Sequence, residues 1–491
     1  MGRTQSGDSV LDCRGAFCPA HLSHVEGAMT VEERIRGRKI GVIGMARSGL
    51  AAALLAQRYG GDVFVSDNAR SEFLAEPIAR LQQAGIAYES GGHSDRLLTS
   101  DYIVVSPGVP LTVPIIKKLR ERAIPIFSEL EFASWVCRAP IIAVTGSNGK
   151  TTTTTLIGEI LKAAGRPCEV CGNIGRPFSE IAADISPDAI AVVETSTFQL
   201  ETIADFAPHV ALLLNLQPDH LDRHQTFEAY KKLKYRICEN QSAEDYFIIN
   251  HDDPEIVSDQ IATGATRRSF SITSTGDAMA QVIDGRLTIN RDGDSENVLP
   301  VADIRIKGRH NLQNASAAVA ATALVGVPTS AMADALRTFG GVEHRLEPVG
   351  SVAGIRFIND SKATNVDSVV VALQSMTTPT YLIAGGRDKG APYTPIIEAG
   401  RNSLKGIIAI GEAQDKIFND LGQAFPTQFA PTLEEAVLKA FELASPGETV
   451  LLSPGCASFD MFENFEHRGR AFKTAVAGLR NGKKKDETIQ K

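Results

Sequence analysis

Residues 141–155 read Ile-Ile-Ala-Val-Thr-Gly-Ser-Asn-Gly-Lys-Thr-Thr-Thr-Thr-Thr, an apolar β run that breaks into a glycine loop and then a helix start. A chain can hold a nucleoside triphosphate in this way. Gly146 and Gly149 let the backbone turn so that successive N–H groups, through Ser147 and Asn148, face phosphate oxygens. Lys150 reaches the outer phosphates, and the Thr151 hydroxyl is placed to ligate the accompanying Mg²⁺. The following helix adds its N-terminal dipole to the anion site. Val144 stands where the strict pattern has its first glycine, so the loop is a compressed variant, Thr-Gly-Ser-Asn-Gly-Lys-Thr. The residues predict a nucleotide site.

Two more clusters carry chemistry at the ends of apolar runs. Glu194 closes the run 189–193 and opens Glu-Thr-Ser-Thr-Phe-Gln-Leu-Glu. A carboxylate there, beside a phosphate loop, suits an outer partner of Mg²⁺. Residues 215–223 read Asn-Leu-Gln-Pro-Asp-His-Leu-Asp-Arg, in which Asp219 and His220 could supply a metal ligand and an orienting group. A structural histidine is the alternative. Lys231, Lys232 and Lys234 form a basic run whose ordinary reading is a solvated helix face, and spacing does not single out Lys234.

The elements that must position these residues form three α/β segments. The first opens with a strand at 39–44, a G-x-x-x-x-G loop and an alanine-rich helix at 50–59, with further strands at 62–66 and 101–105. Its loop lacks the G-x-G-x-x-G of dinucleotide binders, which argues against an NAD site; a purely structural turn stays open. The second segment starts near residue 129, carries the phosphate loop, and has strands at 189–194, 210–215 and 246–250 and a helix at 314–325. The third starts near 342, with strands at 355–359, 380–384, 406–410 and 449–453. Strands ending in glycine or acidic turns and alternating with helices predict Rossmann-like parallel sheets, with ligands at the strands' carboxyl ends. The division expected is 29–128, 129–341 and 342–480, with residues 1–28 a disordered extension and a frayed tail after 479.

A chain of 491 residues, 43% hydrophobic and 22% charged, has the composition of a globular enzyme of roughly three domains. A net charge of −8 argues against nucleic acid or an anionic membrane as partner. Seven scattered cysteines fit a reducing cytoplasm better than a disulfide framework. Cys168 and Cys171 form a lone C-x-x-C, read as two buried small residues. No apolar run approaches the length of a membrane span.

The motifs occur in a recognisable order. Thr145–Thr152, Glu194–Glu201, Asp219-His-Leu-Asp222, Gly308-Arg-His-Asn-Leu-Gln-Asn314 and Glu343-His-Arg345 together resemble the Mur ligases, the ATP-dependent amide-forming enzymes of peptidoglycan synthesis. The likeness covers nearly all of residues 38–478. Residues 357–365, Phe-Ile-Asn-Asp-Ser-Lys-Ala-Thr-Asn, and the stretch 452–469 are similar to the members of that family that add D-glutamate to UDP-N-acetylmuramoyl-L-alanine. The Asp-Asn-Pro-Arg signature of diaminopimelate- or lysine-adding members is absent, and folylpolyglutamate synthases lack a first domain like residues 38–128. A non-catalytic nucleotide-binding regulator would be expected to lose Lys150, His220 or Lys234; all three are present.

The resemblance implies a role for each matching residue. Arg47, Ser48, Asn68, Ser106, Pro107, Gly108 and Asn173 would bind the UDP-linked substrate. The loop Gly146–Thr152 would bind ATP, with Asn311, Asn314, Arg345 and Asp360 framing the nucleotide. Thr151, Glu194, His220 and Lys234, the last as a carbamate, would serve two Mg²⁺ ions, and Lys150, Glu194, His220 and Lys234 would carry the catalysis. Lys362, Thr364, Lys389, Ser458 and Phe465 would grip D-glutamate. A cytoplasmic monomer is expected. The departures from the family pattern, Arg47, Gln217-Pro218 and Gly455, touch no proposed chemical role.

Overall fold

The computed structural model describes residues 30–489 apart from His220, Ser274, Thr275, Asp292 and Lys389. The expectations placed on residues 1–28, His220 and Lys389 lie outside the described residues. The chain forms two compact units, one ending at Phe339 and one starting at Gly340.

The first unit holds two sheets. One has five parallel strands in the order Ala87–Ser90, Asp62–Asp67, Lys39–Ile43, Tyr102–Val105, Ile126–Ser128. Strand order reverses beside Lys39–Ile43, which makes the crevice outside its carboxyl end a ligand position. The other sheet has nine strands. Its parallel part runs Ala280–Ile283, Thr266–Phe270, Tyr246–Asn250, Val210–Leu213, Ile141–Thr145, Ile190–Glu194, Cys168–Gly172, and an antiparallel ribbon, Arg286–Arg291 with Asp294–Pro300, extends one edge. Ile142, Ala143, Val144, Val192, Val193, Leu212 and Leu213 are fully buried, as continuous apolar runs covered on both faces should be.

Register explains the site. Val144 pairs with Glu194 and Thr145 with Leu213, so the phosphate loop, Glu194 and the segment from Asn215 leave the sheet side by side. The helix Lys150–Ala163 begins with five consecutive threonines, a poor run for helix propensity. Tertiary packing overrides this: Thr151, Thr152, Thr153 and Thr154 are buried, and the Thr154 hydroxyl bonds back to the Lys150 carbonyl at 2.8 Å. The partner is the alanine-rich helix Arg309–Leu324, whose Ala315, Ala317, Ala318, Ala320 and Ala321 are all buried. It starts at Arg309, five residues before the expected 314, with Gly308 as its N-cap.

The second unit is a six-stranded sheet in the order Glu347–Val352, Ile355–Asn359, Thr449–Leu452, Thr380–Gly385, Leu404–Ile410, Thr427–Phe429; only the first pair is antiparallel. Asn359 pairs with Leu452, which brings Asp360 and Ser453 together at the sheet's carboxyl edge. The helix Phe465–Ile489 runs through the tail expected to fray.

The lysine run is a solvated face only at Lys232, which is exposed. Lys231 and Lys234 are buried, and the Lys231 ammonium lies between Glu228, Glu255 and Asp259 at 3.0, 3.3 and 3.1 Å. Cys168 is half-buried rather than buried. It and Cys171 are three apart on one strand and therefore face opposite sides of the sheet, so they cannot pair. Among the described residues no helix is long and apolar enough to cross a membrane.

Candidate active site

The phosphate loop is preshaped by its neighbours. Gly149 caps the helix at φ 84°, a left-handed conformation that favours glycine. A Cβ there would lie 2.2 Å from Asn314 Oδ1. The helix 309–324 thus delivers Asn314 to the loop, and Asn314 Nδ2 donates to Asn311 Oδ1 at 3.4 Å. Asn215 clasps the loop from the other side, accepting from Asn148 N at 2.8 Å and donating to the Asn148 carbonyl at 3.0 Å. Gln217 accepts from Asn148 Nδ2 at 2.8 Å, and its backbone N–H donates to Ser147 Oγ at 2.9 Å. Gln217, one of the departures from the family pattern, thus contacts the loop through Ser147 and Asn148. Ser147 Oγ also lies 2.9 Å from the Tyr230 hydroxyl.

Two lysines converge on this loop. Lys150 Nζ donates to the carbonyls of Gly146 and Ser147 at 2.8 and 2.9 Å. Lys234 Nζ donates to Gly146 O at 2.8 Å and lies 4.7 Å from the centre of the Tyr230 ring. Burial, and then the charge of Lys150, hold the Lys234 amine well below the usual lysine range, against the pull of Asp219 and Glu194. Sequence alone missed Tyr230, Asn215 and Gln217. The i, i+4 spacing of Tyr230 and Lys234 on one helix was the available signal.

Glu194 supplies the test for a metal. It is 2% exposed, and its Oε1 accepts from Asn173 Nδ2 at 2.9 Å. Its Oε2 is buried and has no hydrogen-bond partner among the described residues. A buried anionic oxygen left over beside a phosphate loop suits a hard cation, with Thr151 on the adjoining helix turn.

Asn173 also leads toward the first domain. Its N–H donates to the Glu194 carbonyl at 2.9 Å, and two residues on, Gly175 O accepts from Arg47 Nη1 at 3.3 Å. Arg47 and Ser48 open the helix Arg47–Arg58 at the reversal of strand order. That helix packs close because Gly49 has no Cβ; one would stand 1.8 Å from the Gly44 carbonyl. Ser106 Oγ donates to the same carbonyl at 3.3 Å, which sets Ser106, Pro107 and Gly108 beside the loop. Exposed Asn68 follows Asp67, whose carboxylate accepts from Met45 N and Ala69 N at 2.6 and 2.7 Å.

The second unit gathers its own group. Asp360 Oδ1 accepts from Leu346 N at 3.2 Å and Oδ2 from Ser453 Oγ at 2.8 Å. Burial pushes its carboxyl up to about 6, although Arg345 pulls the other way. Arg345 Nε is buried without a hydrogen-bond partner among the described residues. Arg468, 1% exposed, clasps two loops: it donates to Ser361 Oγ and Ser361 O at 3.0 and 2.8 Å and to Cys456 O at 3.1 Å. Ser361 Oγ in turn donates to Phe465 O at 2.8 Å. Lys362 Nζ lies 5.7 Å from the Phe465 ring centre, Ser458 is buried at 2% exposure, and Thr364 is half-buried just before the helix Val366–Gln374. Glu343, His344 and Glu347 also cluster, but the Lys473 ammonium sits between the two carboxylates at 2.6 and 3.0 Å, which makes the group an ion-pair network.

The comparisons agree with this arrangement. Residues 39–113 match the MurD N-terminal domain, 144–322 the Mur ligase middle domain, and 344–456 the Mur ligase glutamate ligase domain. A UDP-N-acetylmuramoylalanine–D-glutamate ligase of Thermoanaerobacter sp. (strain X514) is 42% identical over 91% of this chain and 99% of its own. The enzyme of that name from Salinibacter ruber is 41% identical over 92% of this chain and 100% of its own. In fold, the chain is similar to a UDP-N-acetylmuramate–alanine ligase from Thermotoga maritima, with a TM-score of 0.56 at 19% identity over 90% of this chain and 99% of that one. With relatives aligned at this identity along nearly the whole chain and three domain families matched in order, this protein belongs to the Mur ligase family, in the group of UDP-N-acetylmuramoylalanine–D-glutamate ligases.

Proposed function

We propose that this protein joins D-glutamate to UDP-N-acetylmuramoyl-L-alanine at the expense of ATP, as a cytoplasmic monomer in peptidoglycan precursor synthesis. The observation that carries the reading is the buried Glu194 Oε2, unpartnered among the described residues, beside a nucleotide loop to which two lysines donate. The ligand domains would be 29–128 for the UDP-linked substrate, 129–341 for ATP and 342–480 for the amino acid.

The reaction joins anions, and the residues are of the types this requires. The alanyl carboxylate attacks the γ-phosphorus; an O–P bond forms, the β–γ bridge breaks, and ADP leaves. Lys150 and the loop N–H groups from Gly146 to Thr152 would hold the phosphates, and Asn311, Asn314, Arg345 and Asp360 would frame the nucleotide. Thr151, Glu194, His220 and Lys234, once carbamylated, would hold two Mg²⁺ ions, which offset the negative charge of the reacting phosphates. A buried amine held well below the usual lysine range suits that modification, because only the free base adds CO₂. Arg47, Ser48, Asn68, Ser106, Pro107, Gly108 and Asn173 orient the UDP-linked substrate. The D-glutamate amine then attacks the acyl phosphate, passes through a tetrahedral adduct, and expels phosphate with loss of a proton from nitrogen. Lys362, Thr364, Lys389, Ser458 and Phe465 hold its two carboxylates. The test is phosphate release that requires ATP, UDP-N-acetylmuramoyl-L-alanine and D-glutamate together; release independent of either organic substrate refutes the reading.

A further inference from the structure

Arg223 ties three motifs that are far apart in sequence. It lies in the short helix Leu221–His224, which follows Asp219. Its Nη1 donates to Pro107 O at 3.1 Å and its Nη2 to Val109 O at 3.3 Å. Nη2 also meets Glu201 Oε2 at 3.0 Å, and the guanidinium lies 3.9 Å from the centre of the Phe198 ring. Phe198 and Glu201 belong to the motif that begins at Glu194. The side chain is 17% exposed, so these bonds form mostly out of water.

The loop it grips is a tight turn in which Val109 N donates to Ser106 O at 3.0 Å, with Pro107 and Gly108 in the centre. Arg223 takes up the carbonyls of Pro107 and Val109, which leaves the turn one orientation relative to the middle domain. We propose that Arg223 is a positioning residue for the UDP-linked substrate, holding the turn 106–109 in its binding shape from the segment that carries Asp219. A planar guanidinium stacks on Phe198 while its two terminal nitrogens donate to the two carbonyls; a lysine ammonium has no planar face to stack and no fork to hold both acceptors in one plane. The inference rests on the assignment of Ser106, Pro107 and Gly108 to that substrate.

The test uses the full chain with Arg223→Ala, Arg223→Lys and Phe198→Leu, the last two carrying it should the first not fold. Initial rates of phosphate release are read against each substrate in turn, and thermal midpoints are read with ADP and with UDP-N-acetylmuramoyl-L-alanine. We expect KM for the UDP-linked substrate to rise on the order of tenfold in both Arg223 variants and less in Phe198→Leu. KM for ATP and D-glutamate and the ADP-induced midpoint rise should stay near wild type. An unchanged KM for the UDP-linked substrate, equal weakening of ADP and UDP-linked substrate, or full rescue by lysine overturns the inference. Failure of the wild type itself to turn over this substrate removes the proposed function, and the inference with it.

Discussion

Lys150 and Lys234 aim their amines at one acceptor, the carbonyl oxygen of Gly146, each at 2.8 Å. Two cations cannot share one carbonyl in a buried site without cost, and burial together with the charge of Lys150 holds the deeper amine well below the usual lysine range. The arrangement separates the two chemically, because only Lys234 is buried deeply enough for its amine to be held well below the usual range.

Lys234 is therefore expected to behave as a carbamate precursor. Lys234→Ala should lose most activity, and high bicarbonate or a short-chain carboxylate should restore part of it. Lys234→Arg keeps a charge, cannot be carbamylated, and should be inactive; full activity in that variant would rule out the modified form. Stability offers a second readout on the unmodified protein. The folded state binds fewer protons at this position than the unfolded chain, so stability rises with pH below 10.5. Lys234→Met should melt higher than wild type at neutral pH, with the gap closing as pH approaches 10.5.

Gly149 is expected to tolerate no side chain. Alanine at φ 84° costs about 1–2 kcal/mol in backbone strain. Its Cβ would also displace the Asn314 amide, whose Oδ1 and Cγ would lie 2.2 and 3.1 Å away. Gly149→Ala should lower the melting midpoint and weaken ADP binding at least tenfold by calorimetry, a loss of about 1.4 kcal/mol. Wild-type ADP affinity in a folded variant would mean that the loop does not hold phosphate in this shape.

Asp360 sets a pH dependence in the second unit. Its folded carboxyl titrates near 6 against an ordinary value of 3.8, so the folded state keeps a proton that the unfolded chain releases. Stability contributed by the neutral acid is present below 3.8 and is lost as pH rises through 6. The span is worth about 3 kcal/mol at most. Asp360→Asn should match wild type in melting near pH 4 and exceed it above pH 6. A constant difference across that range would mean that the carboxyl is not perturbed.

Much of this was legible because polar residues interrupt apolar strands where the sheet ends, and that punctuation survives in the sequence. Glu194 and the phosphate loop were found that way, and the strand 355–359 agrees residue for residue. The burial of Lys231 was not legible: its partners Glu255 and Asp259 lie more than twenty residues on, and nothing local marks them. The ribbon 286–300 is mostly polar and short, so it carries little period-2 signal. The tail after 479 has good helix formers but no apolar stripe, and its helix continues from a buried stretch that includes Phe472 and Val476. Arg223 was invisible as a clamp, since its acceptors are backbone carbonyls more than a hundred residues away.

The choice of amino acid gives the last prediction. D-glutamate carries two carboxylates, and the residues proposed to hold it, Lys362, Thr364, Lys389 and Ser458, are cations and hydroxyls. Ser458 is buried, and the loop bearing Lys362 and Thr364 is held to Cys456 through Arg468, so these three donors are carried on segments tied to one another. Lysine or meso-diaminopimelate would bring an extra ammonium toward these lysines. L-glutamate would present its amine correctly only by misplacing one carboxylate. Leaving a charge unmatched in a water-poor pocket costs several kcal/mol, which is more than a thousandfold in rate at the upper end. Phosphate release with D-glutamate should therefore far exceed that with L-glutamate, L-lysine or meso-diaminopimelate at equal concentration. A rate with any of these three within tenfold of the D-glutamate rate would remove the proposed amino-acid site while leaving ATP-dependent ligation intact.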